Sequence, residues 1–284
     1  MLAVDLGGTR LRVAVFDGGG ALQHKAVIST PSDTPEALAA AMKDALAQRG
    51  DLDVSGVVVG VPGVVSYAQG KPVRMPNLPA WERLLSAQSL AETVGLPVQL
   101  ANDADLAALG EHRYGAGRGT LDMVYVTSST GVGGGVIIGG RLLRGQHSLA
   151  EVGHMVIERS TGGTVEELGS GTALAQAAGV DGATVAARAE AGDERALAIF
   201  RDVADALATG VYNLVHCFSP ERVVIGGGVA RAGDLLLEPI RERLRRGRDL
   251  TATSPDVVLA QGGDDVGLLG AFAFWSDARQ DSVD

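Results

Sequence analysis

Two stretches of this chain have the makings of an anion cradle. Asp5-Leu-Gly-Gly-Thr-Arg10 leads into the β-branched run Arg12–Phe16, and Ser129-Thr-Gly-Val-Gly-Gly-Gly135 follows the similar run Met123–Thr127. Small residues at Gly7, Gly8, Gly131 and Gly133 let backbone N–H groups approach phosphate oxygens, and the hydroxyls of Thr9 and Thr130 add donors. Two such turns read as two halves of one nucleotide site, because phosphoryl transfer rests on positioning and charge stabilisation. A third glycine cluster, Gly226–Gly228, follows the strand-like Val223-Val-Ile225. One glycine turn is ordinary; three, each at a strand end, make a pattern. It is not the Walker pattern, since none of Lys25, Lys43 and Lys71 stands between Gly and Ser or Thr. The dinucleotide pattern fails too, with Val136 and Arg231 where its last glycine belongs.

Carboxylates stand near these turns in the sequence. Asp5 reads either as a turn-former or as a holder of Mg²⁺ through water. Asn102-Asp103 falls where a short strand gives way to an Ala-rich helix. Either residue can cap that helix, and Asp103 can equally take a proton from a hydroxyl; the residue types leave both open. Glu151 and His154 are three apart and share a face on a helical turn, which also describes a plain surface pair.

The elements that position these groups follow from periodicity and breakers. Strands are expected at 2–6, 11–16, 21–29, 54–61, 97–101, 122–128, 133–138, 223–225 and 256–260, with a hairpin at 141–144. Helices are expected at 34–48, capped by Thr34 with Pro35 at its first position, at 81–93, from 103, at 172–178, 182–191 and 194–216, after Gly228, and from about 265. Gly115–Gly119 reads as a hinge or linker.

Composition sets the bounds. The chain has 284 residues, 46% hydrophobic and 20% charged, so it can bury a large core, and aromatics at 4% leave that core to Val, Leu, Ile and Ala. A net charge of −10 argues against nucleic-acid binding. The basic run Arg241–Arg248 reads as a helix C-terminus closed by Gly247. Cys217, the only cysteine, reads as a buried structural thiol and rules out an internal disulfide. With no room for a signal peptide and no membrane-length apolar run, a cytoplasmic location with no membrane partner is expected.

Taken together, the landmarks resemble the ROK family of sugar kinases and sugar-responsive regulators. The first phosphate turn with Phe16-Asp17, Gly60-Val-Pro-Gly63, Pro76-Asn77-Leu-Pro-Ala-Trp81, Asn102-Asp103-Ala104 with Gly110-Glu111, Thr130–Gly135 through Ala150-Glu-Val-Gly-His154, and Val224–Ala230 occur in the family's order. The resemblance implies an α/β fold of duplicated actin-like ATPase (ribonuclease H-like) domains with a central cleft. One lobe would be 1–115 completed by a helix at about 265–284, the other 116–264, both closing on ATP and sugar.

It also implies Asp103 as catalytic base. Sugar contacts would come from Gly63, Asn77, Asn102, Asp103, Glu151, His154 and Glu166. Nucleotide contacts would come from Asp5, Gly7, Gly8, Thr9, Arg10, Thr130, Gly131, Gly133, Gly227 and Gly228, with Mg²⁺ on Asp5. Glucose, phosphorylated at its 6-hydroxyl, is the expected substrate. Fructose, N-acetylmannosamine and N-acetylglucosamine fit the same plan, and a non-catalytic sugar-binding regulator is the rival. A homodimer is expected on resemblance alone. Many members carry a Cys-rich zinc knuckle after the Gly-His pair; here Met155–Val165 has no cysteine, so no structural zinc is expected.

Overall fold

A computed structural model describes residues 1–31, 34–76, 78–148, 151–246 and 254–280. The chain divides into two compact units, Met1–Tyr114 with Leu143–Leu149 and Gly262–Asp284, and Gly115–Leu142 with Ala150–Gln261.

The first unit opens with strands β1 (Leu2–Leu6), β2 (Arg10–Phe16) and β3 (Leu22–Ser29), then helix α1 (Pro35–Ala47). Thr34 caps that helix by accepting from Ala37 N, with Pro35 at its first position. Strand β4 (Val57–Val61) is buried along its whole length. A small hairpin of β5 (Val64–Ser66) and β6 (Lys71–Arg74) follows, then α2 (Pro79–Leu84), α3 (Ala87–Val94), β7 (Val98–Asn102) and α4 (Asp103–Tyr114). The single helix expected over 81–93 is therefore two. Ser86 is extended and its hydroxyl accepts from Ser89 N at 3.1 Å, starting a new helix, while Trp81 is buried on the first.

The second unit holds β8 (Met123–Ser128), β9 (Val132–Ile138), β10 (Arg141–Leu142), β11 (Val156–Glu158), β12 (Gly163–Thr164), α5 (Val165–Gly169), α6 (Gly171–Ala178), α7 (Gly182–Glu190), α8 (Glu194–Phe218), β13 (Arg222–Gly226), α9 (Asp234–Arg246) and β14 (Asp256–Leu259). The chain then returns to the first unit as α10 (Val266–Gln280), which packs against α4 and beneath β1 and β4.

Each unit is built on a five-stranded sheet of the same plan. The orders are β3-β2-β1-β4-β7 and β10-β9-β8-β13-β14, and in each an antiparallel hairpin pair joins a run of parallel strands. Buried Val and Leu dominate the first core, among them Leu2, Val4, Val13, Val57 and Val59. The α/β class is as expected from the sequence.

The Gly115–Gly119 segment, expected as a hinge or linker, starts where the first unit gives way to the second and forms a hydrogen-bonded turn, with Arg118 N on Gly115 O at 3.3 Å and the Arg222 guanidinium on Ala116 O at 2.8 Å. One local expectation changes. Cys217 is exposed. It lies in the last turn of α8, whose buried face runs through Val211, Leu214 and Val215, so its apolar neighbours in sequence point elsewhere. The basic run does end α9, at Arg246, but Arg241 and Arg246 ion-pair with Glu238 and Glu242; Gly247 and Arg248 lie outside the described residues. Among the described residues no helix is long and apolar enough to cross a membrane.

Candidate active site

In the first unit the parallel register does the assembling. Asp5 on β1 pairs with Gly60 on β4, Gly60 with Ala101 on β7, and Val61 with Asn102. Adjacent strands lie about 4.8 Å apart, so Asp5 and the Asn102-Asp103 step occupy one sheet edge roughly 10 Å apart. That edge is the carboxyl end of the parallel strands, where α/β sheets present ligand sites. A Cβ on Gly60 would meet Leu106 and come within 4.0 Å of the Asp103 Cα, so glycine there lets the start of α4 lie against β4.

The first glycine turn leaves the same edge. Gly7 N donates to Arg10 O at 3.0 Å, and Thr30 braces the turn through its hydroxyl on Gly7 O (2.6 Å) and its N–H on Thr9 O (3.0 Å). Gly8, Thr9 and Arg10 are exposed, and nothing lies within 4 Å of a Cβ built on Gly8, so its backbone is open to a ligand. Asp5 pairs with Arg12, whose Nη1 is 2.9 Å from Asp5 Oδ2. Burial raises the Asp5 pKa above the ordinary carboxylate value, more than the Arg12 hydrogen bond and charge lower it.

Asn102 and Asp103 divide the roles that the sequence left open. Asn102 is the helix cap: its Oδ1 accepts from Asp105 N at 2.9 Å, while its Nδ2 donates to Gly63 O at 2.9 Å. Gly63 has φ +98°, and a Cβ there would fall on the Arg74 carbonyl, so only glycine closes this loop. Asn102 is thus buried and engaged at both ends of its amide. Asp103 makes the short-range contact to Ala104 N at 2.9 Å. The hydroxyl of the partly buried Tyr67 donates to Asp105 Oδ2 at 2.5 Å, and Arg144 lies over the rings of Tyr67 and Phe274. Asn77 lies outside the described residues.

The second unit gathers the other expected residues. Glu151 precedes a 3₁₀ turn, Val152–His154, and His154 Nε2 lies 3.8 Å from Glu151 Oε2. Glu166, on α5, accepts from Val132 N at 2.9 Å, and a Cβ on Gly131 would fall on its carboxylate. It therefore rests directly on the second glycine turn. Neighbouring Glu167 is spent on the capping box with Thr164, which leaves Glu166 as the inward carboxylate. Ser129 N donates to Gly131 O at 2.8 Å, and Thr130 is exposed; Gly133 pairs with Thr127 inside the sheet. Gly227, at φ +88°, would place a Cβ on the Ser128 carbonyl, whereas Gly228 is open.

Next to Thr130 and Gly228 lies a cavity of about 740 Å³, walled by α6, α7 and the turn after Gly228. Leu174, Ala183, Ala187 and Val229 make it apolar; Thr172 and Arg231 stand among its polar groups. That is room enough for a nucleoside. The sequence reading assigned Gly227 and Gly228 to this side and missed α6 and α7. The available signal was Ala183, Ala186 and Ala187, small residues on one helical face.

A model of the ROK family matches residues 1–278. The chain belongs to the ROK family. It is 31% identical to a glucokinase of Streptomyces coelicolor over 95% of each chain. It is 33% identical to an N-acetylmannosamine kinase of Shigella flexneri over 95% of this chain and 96% of that one. A ROK family glucokinase from Streptomyces griseus, solved with glucose and AMPPNP, superposes with a TM-score of 0.79 at 32% identity, covering 95% and 97% of the two chains. The ROK chain accordingly has the duplicated actin-like ATPase fold of that group.

Two ions belong to the family plan, and the residues present decide differently on them. Asp5 accepts from Arg12 on one oxygen, and the other would suit a water of Mg²⁺ arriving with ATP. The segment that holds the zinc knuckle elsewhere in the ROK family does not fit zinc. Glu158 is its one acidic residue, it has no Cys or His, and Glu158 is spent on backbone and hydroxyl donors.

Proposed function

We propose that this ROK protein is an ATP-dependent hexose kinase that transfers the γ-phosphoryl group of MgATP to a sugar hydroxyl, the 6-hydroxyl of glucose foremost. The observation that carries the reading is the register of the first sheet, which sets Asp103 on the same edge as Asp5 and the Gly7–Arg10 turn. A general base and a phosphate-binding turn belong together only where a hydroxyl meets a phosphate.

The steps follow from these positions. Asp103 accepts the proton of the sugar hydroxyl as its oxygen bonds to the γ-phosphorus, while the bond from that phosphorus to the β,γ-bridging oxygen breaks and ADP leaves. N–H groups of the open Gly8 turn, with Thr9 and Arg10, receive charge on the transferring group. Asp5 would hold a water of the Mg²⁺ that comes with ATP, an ion that would supply charge neutralisation at the phosphates. Gly228 and the apolar cavity take the adenosine. Glu151, His154 and Glu166 read ring hydroxyls, since a site left with an unpaired polar group rejects the wrong epimer. Glucose is placed ahead of N-acetylmannosamine because the similar Streptomyces griseus glucokinase is solved with glucose and AMPPNP, while coverage alone is the same for both kinds of relative.

The test is a coupled assay at saturating MgATP across glucose, fructose, N-acetylmannosamine and N-acetylglucosamine, on wild type and Asp103→Asn. Glucose should give the highest kcat/KM. The variant should lose roughly 10²- to 10⁴-fold in kcat, the range of general-base catalysis, with both KM values within a few-fold. Sugar binding without turnover in the wild type would instead identify a binding regulator.

A further inference from the structure

Between His154 and Glu166 the chain makes an excursion and returns. At its neck Val165 N donates to Met155 O at 3.0 Å, and Val156 faces Thr164 across β11 and β12. These two strands form a sheet of their own, with no further strand on either side among the described residues. An isolated hairpin of this size is marginal in water.

What closes it is one carboxylate. Glu158 Oε1 accepts from Ser160 N at 3.0 Å and Ser160 Oγ at 2.6 Å, while Oε2 accepts from Thr161 N at 2.8 Å and from the Thr161 hydroxyl. Thr161 Oγ1 in turn accepts from Gly163 N at 3.2 Å, and Gly162 N donates to Glu158 O at 3.0 Å. Bonds to an ionised acceptor are about twice as strong as neutral ones. Both ends of the excursion run into the sugar-side set. A Cβ on Gly153 would strike Val132 O and touch Glu166 Cβ, and Val165 packs on Gly210 of α8, so the neck has little slack.

We propose that Glu158 is a positioning residue for sugar recognition: its four-bond clamp shapes the hairpin and so fixes the separation of His154 and Glu166, without a metal ion. The inference rests on the reading that those two residues contact the sugar. The cysteine-free segment, which cannot supply thiolates, carries its own crosslink in the form of a charged hydrogen-bond cluster.

Four proteins decide it: wild type, Glu158→Ala, His154→Ala and Glu158→Gln, the last a milder variant that keeps the side chain's shape. Sugar KM, ATP KM and kcat are measured alongside amide hydrogen exchange over residues 156–164, and wild-type activity is assayed after treatment with 1,10-phenanthroline. Glu158→Ala should raise sugar KM roughly tenfold, as expected for loss of a support one step removed from the ligand. Its kcat and ATP KM should stay within twofold, hairpin exchange should quicken, Glu158→Gln should fall between, and the chelator should do nothing. Faster exchange with an unchanged sugar KM, unchanged exchange, or inactivation by chelator reversed with zinc would each overturn the proposal. Should His154→Ala also leave sugar KM unchanged, the sugar-site reading fails with it; a raised KM in that variant alone places the failure at the clamp.

Discussion

Arg12 stands opposite Asp5 because β1 and β2 pair in antiparallel register around the Gly7–Arg10 turn. Both strands and the turn are legible in the sequence, while the partnership of Arg12 with Asp5 shows only once the register across the hairpin is known. That partner has a consequence for pH. Burial already raises the Asp5 pKa, and Arg12 opposes the rise by favouring the ionised form. Arg12→Met removes the opposing charge, so the Asp5 pKa should climb and the acid limb of kcat/KM for MgATP should move to higher pH. A pH–rate profile checks this; a limb that stays in place would remove Asp5 from the metal's service. Glu158 behaves in the opposite sense. Its four donors hold the carboxyl down at about 2, so the clamp's contribution is present above the ordinary glutamate range and fades as pH falls toward that value. Side-chain carbon shifts followed by NMR through an acid titration should show Glu158 titrating below the other glutamates. Glu151, His154 and Glu166 could be named from motif spacing, while the clamp could not, because Ser160 and Thr161 look like any polar turn.

Helix α4 carries Asp103 at its first residue, so whatever seats that helix seats the proposed base. It crosses α10 almost backbone to backbone. A Cβ on Gly110 would fall on the Val266 carbonyl, and one on Gly270 on the Leu106 carbonyl. Gly270→Ala should therefore force the pair apart. Overpacking of this kind costs about 1–3 kcal/mol, which in a chain of this size lowers Tm by roughly 2–4 °C per kcal/mol. Differential scanning fluorimetry should see a fall of that order; an unshifted Tm would mean the crossing relaxes freely. Gly227→Ala, at φ +88°, should combine backbone strain with a clash on Ser128 and weaken ATP binding, measured by calorimetry. Periodicity located α4 and α10, and it merged α2 with α3. The break at Ser86 was visible as a cap residue, but the hydrophobic spacing on either side read through it.

At the scale of the chain, the repeated strand–turn–strand openings near residues 2 and 123 disclosed two sheets of one plan. Less legible was Leu143–Leu149, which belongs with the first unit. Ser148 N donates to Val65 O at 2.7 Å and its hydroxyl accepts from Val65 N at 3.0 Å, a pairing that no local pattern announces. Nor does local pattern reveal that Trp275 fills the space over Gly56, or that Phe272 packs on Phe16 at 5.5 Å between ring centres. A chain stopped after Gln261 should consequently lose the first unit's cooperative unfolding and protease resistance while residues 115–142 and 150–261 stay protected, as limited proteolysis with mass mapping would reveal.

The return of α10 to β1 and β4 also has a temporal side. During translation the later-numbered unit is synthesised in full before the closing helix of the earlier one. Until Phe272, Phe274 and Trp275 emerge, the nascent β1–β4 sheet offers bare Val and Leu to the cell, and it is there that a chaperone would find its foothold.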